Sequence, residues 1–270
     1  MIPHEIFFTK PPPSATIIHM KTKTISSARY NLIDVIRAVA IISMIAYHLC
    51  YDIFVVFEVD PSFDKYPLIL LWERSICFTF IIISGVSLNF SRHPFKRGII
   101  VNLCGFALTA VTLLFMPSQQ IWFGILNLIG CGMLLTAALR RWLDRLLPAF
   151  GMALSLTLYA LTAGVPYRYI GVFSLRLIEL PAFLYGSKYL SFIGFMSDDF
   201  FSADFFPLIP WLFLFLFGYY LWRWIRLRGW DPVFRFHIPV LSFIGRRSLV
   251  IYLVHQPLLY ALCALIFGHF

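Results

Sequence analysis

Four ionisable side chains lie in or beside one long apolar stretch, residues 29–52 (RYNLIDVIRAVAIISMIAYHLCYD). Arg37 and His48 are 11 positions apart in this stretch, which is close to three helical turns. On a helix both side chains would lie on one face, about 16 Å apart along the axis. Asp34 precedes Arg37 by about one turn, and Asp52 follows His48 by one turn. Ionisable groups at membrane depth cost about 2.5–3.5 kcal/mol each, so by default they indicate a functional site.

These two pairs suggest different chemistry at the two ends of the helix. A neutral imidazole is well matched to general-base catalysis near pH 7, so His48 is the leading catalytic candidate, with Asp52 to orient it. The alternative is an interfacial histidine that is hydrogen-bonded to a neighbouring helix. Arg37 could bind phosphate oxygens with its forked guanidinium, or it could form a structural ion pair with Asp34.

The composition predicts the element that must carry these residues. Of 270 residues, 60% are hydrophobic and only 13% are charged, whereas soluble domains carry about 25% charged residues. Apolar runs long enough to cross a bilayer recur along the chain. We therefore predict an all-α, polytopic integral membrane helix bundle at residues 29–270, preceded by a flexible cytoplasmic tail at residues 1–28.

The apolar runs predict seven transmembrane helices. Residues 173–195 are apolar but are interrupted by charged residues and a proline, which favours an interfacial or re-entrant segment over an eighth span. The seven predicted spans are 31–57, 68–90, 98–116, 121–139, 146–165, 206–224 and 248–268.

The basic residues predict the orientation of these spans. With the N-terminus in the cytoplasm, 16 of the 22 lysines and arginines fall on the cytoplasmic side. Because cytoplasmic loops of membrane proteins are enriched in lysine and arginine, this bias predicts a cytoplasmic N-terminus, with Arg37 near the cytoplasmic end and His48 near the outer end. Arg37 itself lies inside a span, and the outer side keeps five: Lys65, Arg74, Arg168, Arg176 and Lys188.

The net charge of +9 does not indicate nucleic-acid binding, because the basic residues cluster between apolar segments and form no patch interleaved with aromatic residues. The five cysteines form no CxxC pair, and no metal-binding motif is present, so neither a metal nor a metal cofactor is expected. We expect the cysteines to be packing residues.

Further polar residues lie near the predicted outer ends of the other spans. Glu73 and Arg74 open the second span, where they could line a substrate pathway or extend toward the membrane interface. Asp204 precedes the sixth span and could share an outer pocket with His48 and Asp52. In the last span His255 is followed by Gln256 and Pro257, an interrupted helix typical of substrate-binding or gating segments, although packing is the alternative.

The second span contains the small residues Ser84, Gly85 and Ser87. Small residues allow helices to approach closely in lipid, so packing is the default interpretation. The alternative is a narrow channel wall against an extended ligand.

Five motifs in order now suggest a family. They are D34xxR37 with MxxxH48, the GxS-containing second span, WFGILNLIG (122–130), DFFPLIPW (204–211) and IGRRSLVIYLVHQP (244–257). Across residues 29–265 the chain resembles the catalytic-domain family of heparan-α-glucosaminide N-acetyltransferase, and in particular its short bacterial members. It is also similar to the membrane acyltransferases that O-acetylate surface polysaccharides, which share an arginine followed 11 residues later by an essential histidine.

The resemblance implies a transmembrane acyltransferase in the bacterial cytoplasmic (inner) membrane. It would take an acetyl group from cytoplasmic acetyl-CoA and pass it to a glycan or amino-sugar acceptor outside. Arg37, Asp34 and Arg246 would lie at the CoA-binding end, and His48 would deprotonate the acceptor. The family's name-giving enzyme has a histidine in a longer first lumenal loop, and no histidine lies at 49–92 here. His48 therefore takes the catalytic role through the polysaccharide acyltransferases.

Two other classes of function fit the same buried charges. A proton-coupled small-molecule transporter would use them to move protons, although such proteins often show two related halves with paired broken helices, which are not evident here. A non-catalytic membrane scaffold would use them for packing. The acceptor, the acyl chain length and assembly into a homo-oligomer are left open by the sequence.

Overall fold

The computed structural model describes residues 29–172 and 175–268, so the predicted tail at residues 1–28 lies outside the described residues. Eight α-helices and one two-stranded antiparallel hairpin are present in the described ranges. The helices are α1 Asn31–Tyr51, α2 Pro67–Leu88, α3 Pro94–Phe115, α4 Ile125–Leu143, α5 Pro148–Thr162, α6 Leu208–Leu227, α7 Pro239–Arg246 and α8 Ser248–Phe267. The strands are β1 Tyr169–Val172 and β2 Leu175–Glu179.

Six of these helices are long and apolar enough to cross a membrane, among the residues described. Their spans are Asn31–Val56, Pro67–Leu88, Pro94–Phe115, Pro148–Tyr167, Leu208–Leu227 and Ser248–Phe267. The first of them joins α1 to a π-helical turn at Asp52–Val56. Such turns are rare and are frequently found at functional sites.

Each of the seven predicted spans contains one long helix, which confirms the all-α polytopic bundle. The span predicted at 121–139 contains most of α4, a helix of 19 residues with Arg140 and Arg141 in its last turn. Helix α4 is not one of the six helices that are long and apolar enough to cross a membrane. Residues 175–195 form β2 and short 3₁₀ turns, with no long helix. The eighth span that was considered for 173–195 is therefore not seen in the described part of that segment.

The helix boundaries follow from local sequence. Proline occupies the first helical position of α2, α3, α5 and α7, where its missing N–H costs nothing because no helical acceptor exists there. At its C-terminal end, α8 stops at Gly268, which has a φ of 70°. That left-handed conformation is readily adopted by glycine.

Helices α2 and α6 pack closely because two glycines let their backbones approach each other. A Cβ atom on Gly85 would lie 2.0 Å from the Phe215 carbonyl oxygen, and one on Gly218 would lie 2.1 Å from that of Ile82. The main core forms where α2, α4 and α6 meet, around Ile81, Leu128 and Phe215. Large apolar side chains remain exposed on the outward faces of the long helices, Leu103, Phe106 and Leu114 of α3 among them. Such a surface fits lipid, and the chain is an integral membrane protein.

Candidate functional site

Helix α1 carries the two ends of the candidate site. Near its N-terminal end Asp34 is buried between two arginines. One Asp34 carboxylate oxygen accepts from Arg29 Nε at 3.1 Å, and the other accepts from Arg37 at 2.9 Å. The structural ion pair considered for Asp34 and Arg37 is therefore present, and Arg29 extends it.

Two further contacts fix the Arg37 side chain. Its guanidinium donates to the Ser87 hydroxyl at 2.9 Å and to the Gly245 carbonyl oxygen at 3.3 Å. Helix α7 can come this close because residue 245 lacks a side chain: a Cβ there would lie 1.8 Å from the Asp34 carbonyl oxygen. The guanidinium is thus held between α1, α2 and α7.

A cavity of about 290 Å³ opens beside this guanidinium, and we call it the Arg37 cavity. Arg37, Arg97 and Arg246 supply positive charge to its wall, and Ser84 and Ser87 supply hydroxyl groups. Arg97 and Arg246 are exposed, and neither forms a salt bridge with any residue that the structure describes. Unpaired guanidinium groups suit phosphate oxygens, so this wall fits a ligand that carries phosphate groups.

One sequence prediction for this end needs correction. Asp34 was placed with the residues that contact the CoA ester, but it does not line the Arg37 cavity. Its carboxylate is occupied by Arg29 and Arg37, so Asp34 acts on the cavity only by positioning Arg37. In the second-span motif, Gly85 packs against α6, as the packing interpretation expects, while Ser84 and Ser87 line the Arg37 cavity.

At the other end of α1, the environment of His48 defines its reactive nitrogen. His48 Nδ1 lies 2.9 Å from the carbonyl oxygen of Met44, one turn earlier. A carbonyl oxygen can only accept, so Nδ1 carries the proton and the lone pair is on Nε2. The imidazole is oriented by the backbone of its own helix, and its Nε2 is the atom available to a substrate.

The prediction that Asp52 orients His48 is wrong. Asp52 begins the π-helical turn, and its Oδ1 accepts from Nε2 of Gln256 in α8 at 2.8 Å. The carboxylate therefore links α1 to α8, since His48 already directs its Nδ1–H to Met44. The second oxygen of Asp52 is buried without a hydrogen-bond partner among the residues described.

A second histidine, His255 of α8, faces the first. The ring centroids of His48 and His255 are 4.9 Å apart in an edge-to-face arrangement. His255 Nδ1 is hydrogen-bonded to the Tyr252 carbonyl oxygen, which again leaves the lone pair on Nε2. That Nε2 is buried and has no partner within the described ranges.

These residues line a larger cavity of about 660 Å³, which we call the His48 cavity. The structure brings together here six residues from the sequence predictions: His48, Asp52, Glu73, Asp204, His255 and Gln256. Asp204 reaches the cavity from the loop before α6, and its carboxylate accepts from the backbone N–H of Ile125 at the start of α4 at 3.2 Å. Burial raises the pKa of Asp204 to about 6.

Glu73 and Arg74 have different environments, as expected for adjacent helical residues. Glu73 lines the His48 cavity. Arg74 does not line it, and its guanidinium lies over the Trp211 ring, 5.8 Å from the centroid. The side chain of Arg74 packs on α6, and its assignment to the substrate pathway stays a prediction.

The two cavities meet in the middle of the bundle. Phe80, Ile125 and Tyr252 line both of them, and Phe80 and Tyr252 also pack against two different apolar clusters of the core. These three side chains form the wall between the cavities, which we call the partition. It is apolar apart from one phenol.

Sequence reasoning missed three contributors. Arg97 was counted only as a basic residue near a helix end, Tyr252 was not considered, and the Met44 carbonyl oxygen has no sequence signal. A partial signal existed for Tyr252, because it lies three residues before His255 on the same helix. Nothing local indicated that α3 would bring Arg97 beside Arg37.

In the part of the chain that the structure describes, no group of three or more His, Cys, Asp or Glu side chains is placed to hold a metal ion. Fold and cavities together define a polytopic membrane protein in which a basic cavity and a histidine-containing cavity share three lining residues. A sequence comparison then gives the family: residues 29–257 match the family described as heparan-alpha-glucosaminide N-acetyltransferase, catalytic. The chain belongs to this family, which implies a membrane acetyltransferase-like activity. Comparison with curated proteins and with solved structures gives no match.

Proposed function

We propose that this protein transfers an acetyl group from cytoplasmic acetyl-CoA to a glycan or amino-sugar acceptor at the outer face of a bacterial cytoplasmic membrane. The observation that carries the proposal is the meeting of the two cavities at Phe80, Ile125 and Tyr252. One cavity offers cations for phosphate and the other offers an imidazole with a free nitrogen. Family membership supports the same reaction.

At the Arg37 cavity, the chain's own residues would bind the nucleotide part of the donor. Arg97 and Arg246 are unpaired and exposed, so they can turn toward phosphate oxygens, whereas Arg37 is held in place by Asp34, Ser87 and Gly245. The bound donor supplies an acyl thioester. Its narrow arm would pass the partition and present the thioester in the His48 cavity.

At the His48 cavity, Nε2 of His48 would accept the proton from the acceptor hydroxyl or amine. The acceptor oxygen or nitrogen forms its bond to the acyl carbon, the carbon–sulfur bond breaks, and the sulfur leaves with its electron pair. The proton held on His48 then passes to that sulfur, so the products are an acetylated acceptor and free CoA thiol. His255 and the Asp52–Gln256 pair would hold the acceptor beside His48.

A proton-coupled transporter is the second candidate, and one observation favours it. Asp52 and His255 each have a buried polar atom without a partner in the described residues, and both line the His48 cavity. Groups of this kind can carry protons across a membrane. A transporter function would leave the three arginines of the Arg37 cavity without a role.

Proteoliposomes separate the two candidates. The purified protein would be reconstituted with a glucosamine glycoside inside the vesicles, and labelled acetyl-CoA would be added outside. Label on the enclosed glycoside, with release of CoA outside, is the result we expect. Release of the enclosed glycoside driven by a pH gradient, with no acylation, would favour the transporter and overturn the proposal.

A further inference from the structure

A positively charged surface lies outside both cavities, where the chain passes from the last turn of α6 through α7 to α8. We call residues 226–247 the α6–α8 connector. It contains five arginines, no lysine and a single carboxylic acid, Asp231. Arg246 lines the Arg37 cavity. The other four arginines are exposed and form no salt bridge with any residue that the structure describes: Arg226, Arg228, Arg235 and Arg247.

The connector also exposes large apolar side chains. Five of them are each more than half exposed: Trp230, Val233, Phe236, Val240 and Phe243. Exposed apolar side chains concentrated in one short segment mark contact with a membrane or with a partner protein. Helix α6 ends at Leu227 and α8 begins at Ser248, and both helices are long and apolar enough to cross a membrane. A connection of this length between two spans stays at the membrane surface.

Two connector arginines lie against aromatic rings. The Arg247 guanidinium is 3.8 Å from the centroid of the exposed Phe243 ring, and that of Arg228 is 5.6 Å from the Trp224 ring. A guanidinium that stacks on a ring keeps the N–H groups along its edge free to donate to anionic oxygens. The stacking also places a cation directly beside an apolar surface, which is the combination found in segments that lie in the membrane interface.

Helix α7 has one face for protein and one face for the membrane. Ser242 and Gly245 are buried, and a Cβ on Gly245 would meet the backbone of Asp34 in α1. Val240 and Phe243 are exposed and lie on the opposite face of α7, since helical positions three apart share a face. The outward face of α7 contacts no other helix closely enough to cover these two side chains.

We propose that the α6–α8 connector binds the headgroups of anionic phospholipids. The oxygens of the headgroups would accept from the exposed arginines, and the apolar side chains of α7 would lie among the upper parts of the acyl chains. Basic segments next to membrane spans are attracted to anionic lipids, and the one acid of the connector, Asp231, accepts a hydrogen bond from the Tyr30 hydroxyl and pairs with no arginine that the structure describes.

Such binding would hold α7 between the headgroups and α1. The Gly245 carbonyl oxygen of α7 accepts a hydrogen bond from Arg37, so the bound lipid would support the contact that fixes this guanidinium. The proposal concerns a surface outside both cavities and does not depend on the acyl transfer.

The test uses the full-length protein in nanodiscs of phosphatidylcholine, alone or mixed with phosphatidylglycerol. Spin-labelled phosphatidylglycerol and spin-labelled phosphatidylcholine report how strongly each lipid associates with the protein. We expect the anionic lipid to associate at least about threefold more strongly than the zwitterionic one. Equal association of the two lipids in the wild type would overturn the proposal and leave the surface to a partner protein.

A double variant locates the lipid contact. Arg228→Gln with Arg247→Gln removes the two stacked cations, and we expect it to lower the preference for phosphatidylglycerol at least about twofold. The matched control is Arg141→Gln with Arg145→Gln, which removes the same charge from exposed positions. These positions lie at the same end of the bundle, where Arg223 of α6 donates to the Leu143 carbonyl oxygen of α4. An equal loss in the two double variants would show that only the net charge attracts the lipid, which would refute the site.

Thermal unfolding in the same nanodiscs tests whether the lipid holds α7. Because a ligand that binds the folded state stabilises it, phosphatidylglycerol should raise the thermal midpoint of the wild type and of the control, and raise it less in Arg228→Gln with Arg247→Gln. Similar midpoints of all three proteins in pure phosphatidylcholine would show that the variants fold. A wild-type midpoint that does not respond to phosphatidylglycerol would refute the support of α7 by the lipid.

Discussion

The two cavities differ in charge, in size and in how their polar groups are held. The Arg37 cavity is the smaller, about 290 Å³, and it is lined by three arginines and no carboxylate. The His48 cavity has more than twice that volume, about 660 Å³, and is lined by four carboxylic acids and two histidines. Arg37 donates to three protein groups, whereas Asp52 and His255 each keep a buried polar atom without a hydrogen-bond partner among the described residues.

This difference indicates that the two ends receive different ligands. A cationic wall attracts phosphates, and an acidic wall rejects them, so a donor with a nucleotide at one end can bind in only one direction. The apolar partition between them suits a thin uncharged arm and opposes the passage of ions. A variant in one cavity, or in the partition, is expected to leave the rest of the site intact.

The largest effect is expected at the His48 end. His48→Gln keeps a polar side chain but removes the base, and we expect acyl transfer to fall about 10²–10⁴-fold with the KM for acetyl-CoA nearly unchanged. The measurement is steady-state release of CoA thiol in the presence of acceptor.

His93→Gln is the matched control, since His93 is exposed at the start of α3 and lines neither cavity. Wild-type turnover in His48→Gln would refute the assigned base. A loss confined to KM would move His48 from chemistry to binding.

The next effect is expected at the Arg37 end. Arg246→Ala removes an unpaired cavity cation, and we expect the KM for acetyl-CoA to rise about tenfold or more while kcat changes little, because hydrogen bonds to charged groups contribute about 1.5–3 kcal/mol. Arg97→Ala should act in the same direction. The measurement is the KM for the donor at saturating acceptor.

Arg92→Ala is the control for both variants, because Arg92 is exposed just before α3 and does not line the cavity. An unchanged KM in Arg97→Ala and Arg246→Ala would remove the CoA ester from this cavity. Arg37→Ala is a less suitable test of donor binding, because it would also remove the ion pair that Arg37 forms with the buried Asp34 in α1.

The features that could be predicted from the sequence are those that belong to a single segment. The apolar runs, the 11-residue separation of Arg37 and His48 and the basic bias are properties of one segment at a time, and they predicted the bundle and its two polar ends. The structure confirms the bundle and places both residues on cavity walls.

Contacts between segments could not be predicted in this way. Asp52 is one turn from His48 in the sequence, yet the structure pairs it with Gln256, which lies 204 positions away. Sequence spacing also does not show that the Met44 carbonyl oxygen already occupies His48 Nδ1. Arg97 and Tyr252 reach the cavities because α3 packs against α4 and α8 packs against α1, and single-segment patterns carry no information on such packing.

A smaller effect is expected from Asp204 in the His48 cavity. Burial is the main cause of its raised pKa of about 6, against an ordinary value of 3.8, and the nearby Glu73 acts in the same direction. The folded state binds the proton of the Asp204 carboxyl more tightly than the unfolded state does, so protonation of Asp204 stabilises the fold. This stabilisation is complete below about pH 3.8 and is lost as the pH rises through about 6. We expect the thermal midpoint in detergent to fall over that range, and to fall less in Asp204→Asn.

Tryptophan fluorescence on heating between pH 4 and pH 7.5 measures this effect. Glu58→Gln serves as the control, because Glu58 is exposed. An identical pH dependence in Asp204→Asn and in the wild type would mean that another group causes the decline.

The smallest effect is expected at the partition, where a change alters selectivity more than rate. Phe80→Ala widens the contact region between the cavities, so acyl chains longer than acetyl should react more readily. We expect the ratio of kcat/KM for butyryl-CoA to that for acetyl-CoA to rise about tenfold, because one methylene in an apolar pocket is worth about 1–3 kcal/mol. Phe80→Leu, which removes less volume, should show a smaller rise.

Phe106→Ala makes the same deletion on the outward face of α3, where the side chain is 50% exposed, and should leave the ratio unchanged. A rise in both variants would indicate general loosening of the bundle. An unchanged ratio in a folded Phe80→Ala protein would mean that the acyl group does not pass this point. The two cavities would then be separate compartments, and their opposite charges would have to be explained without a shared reaction.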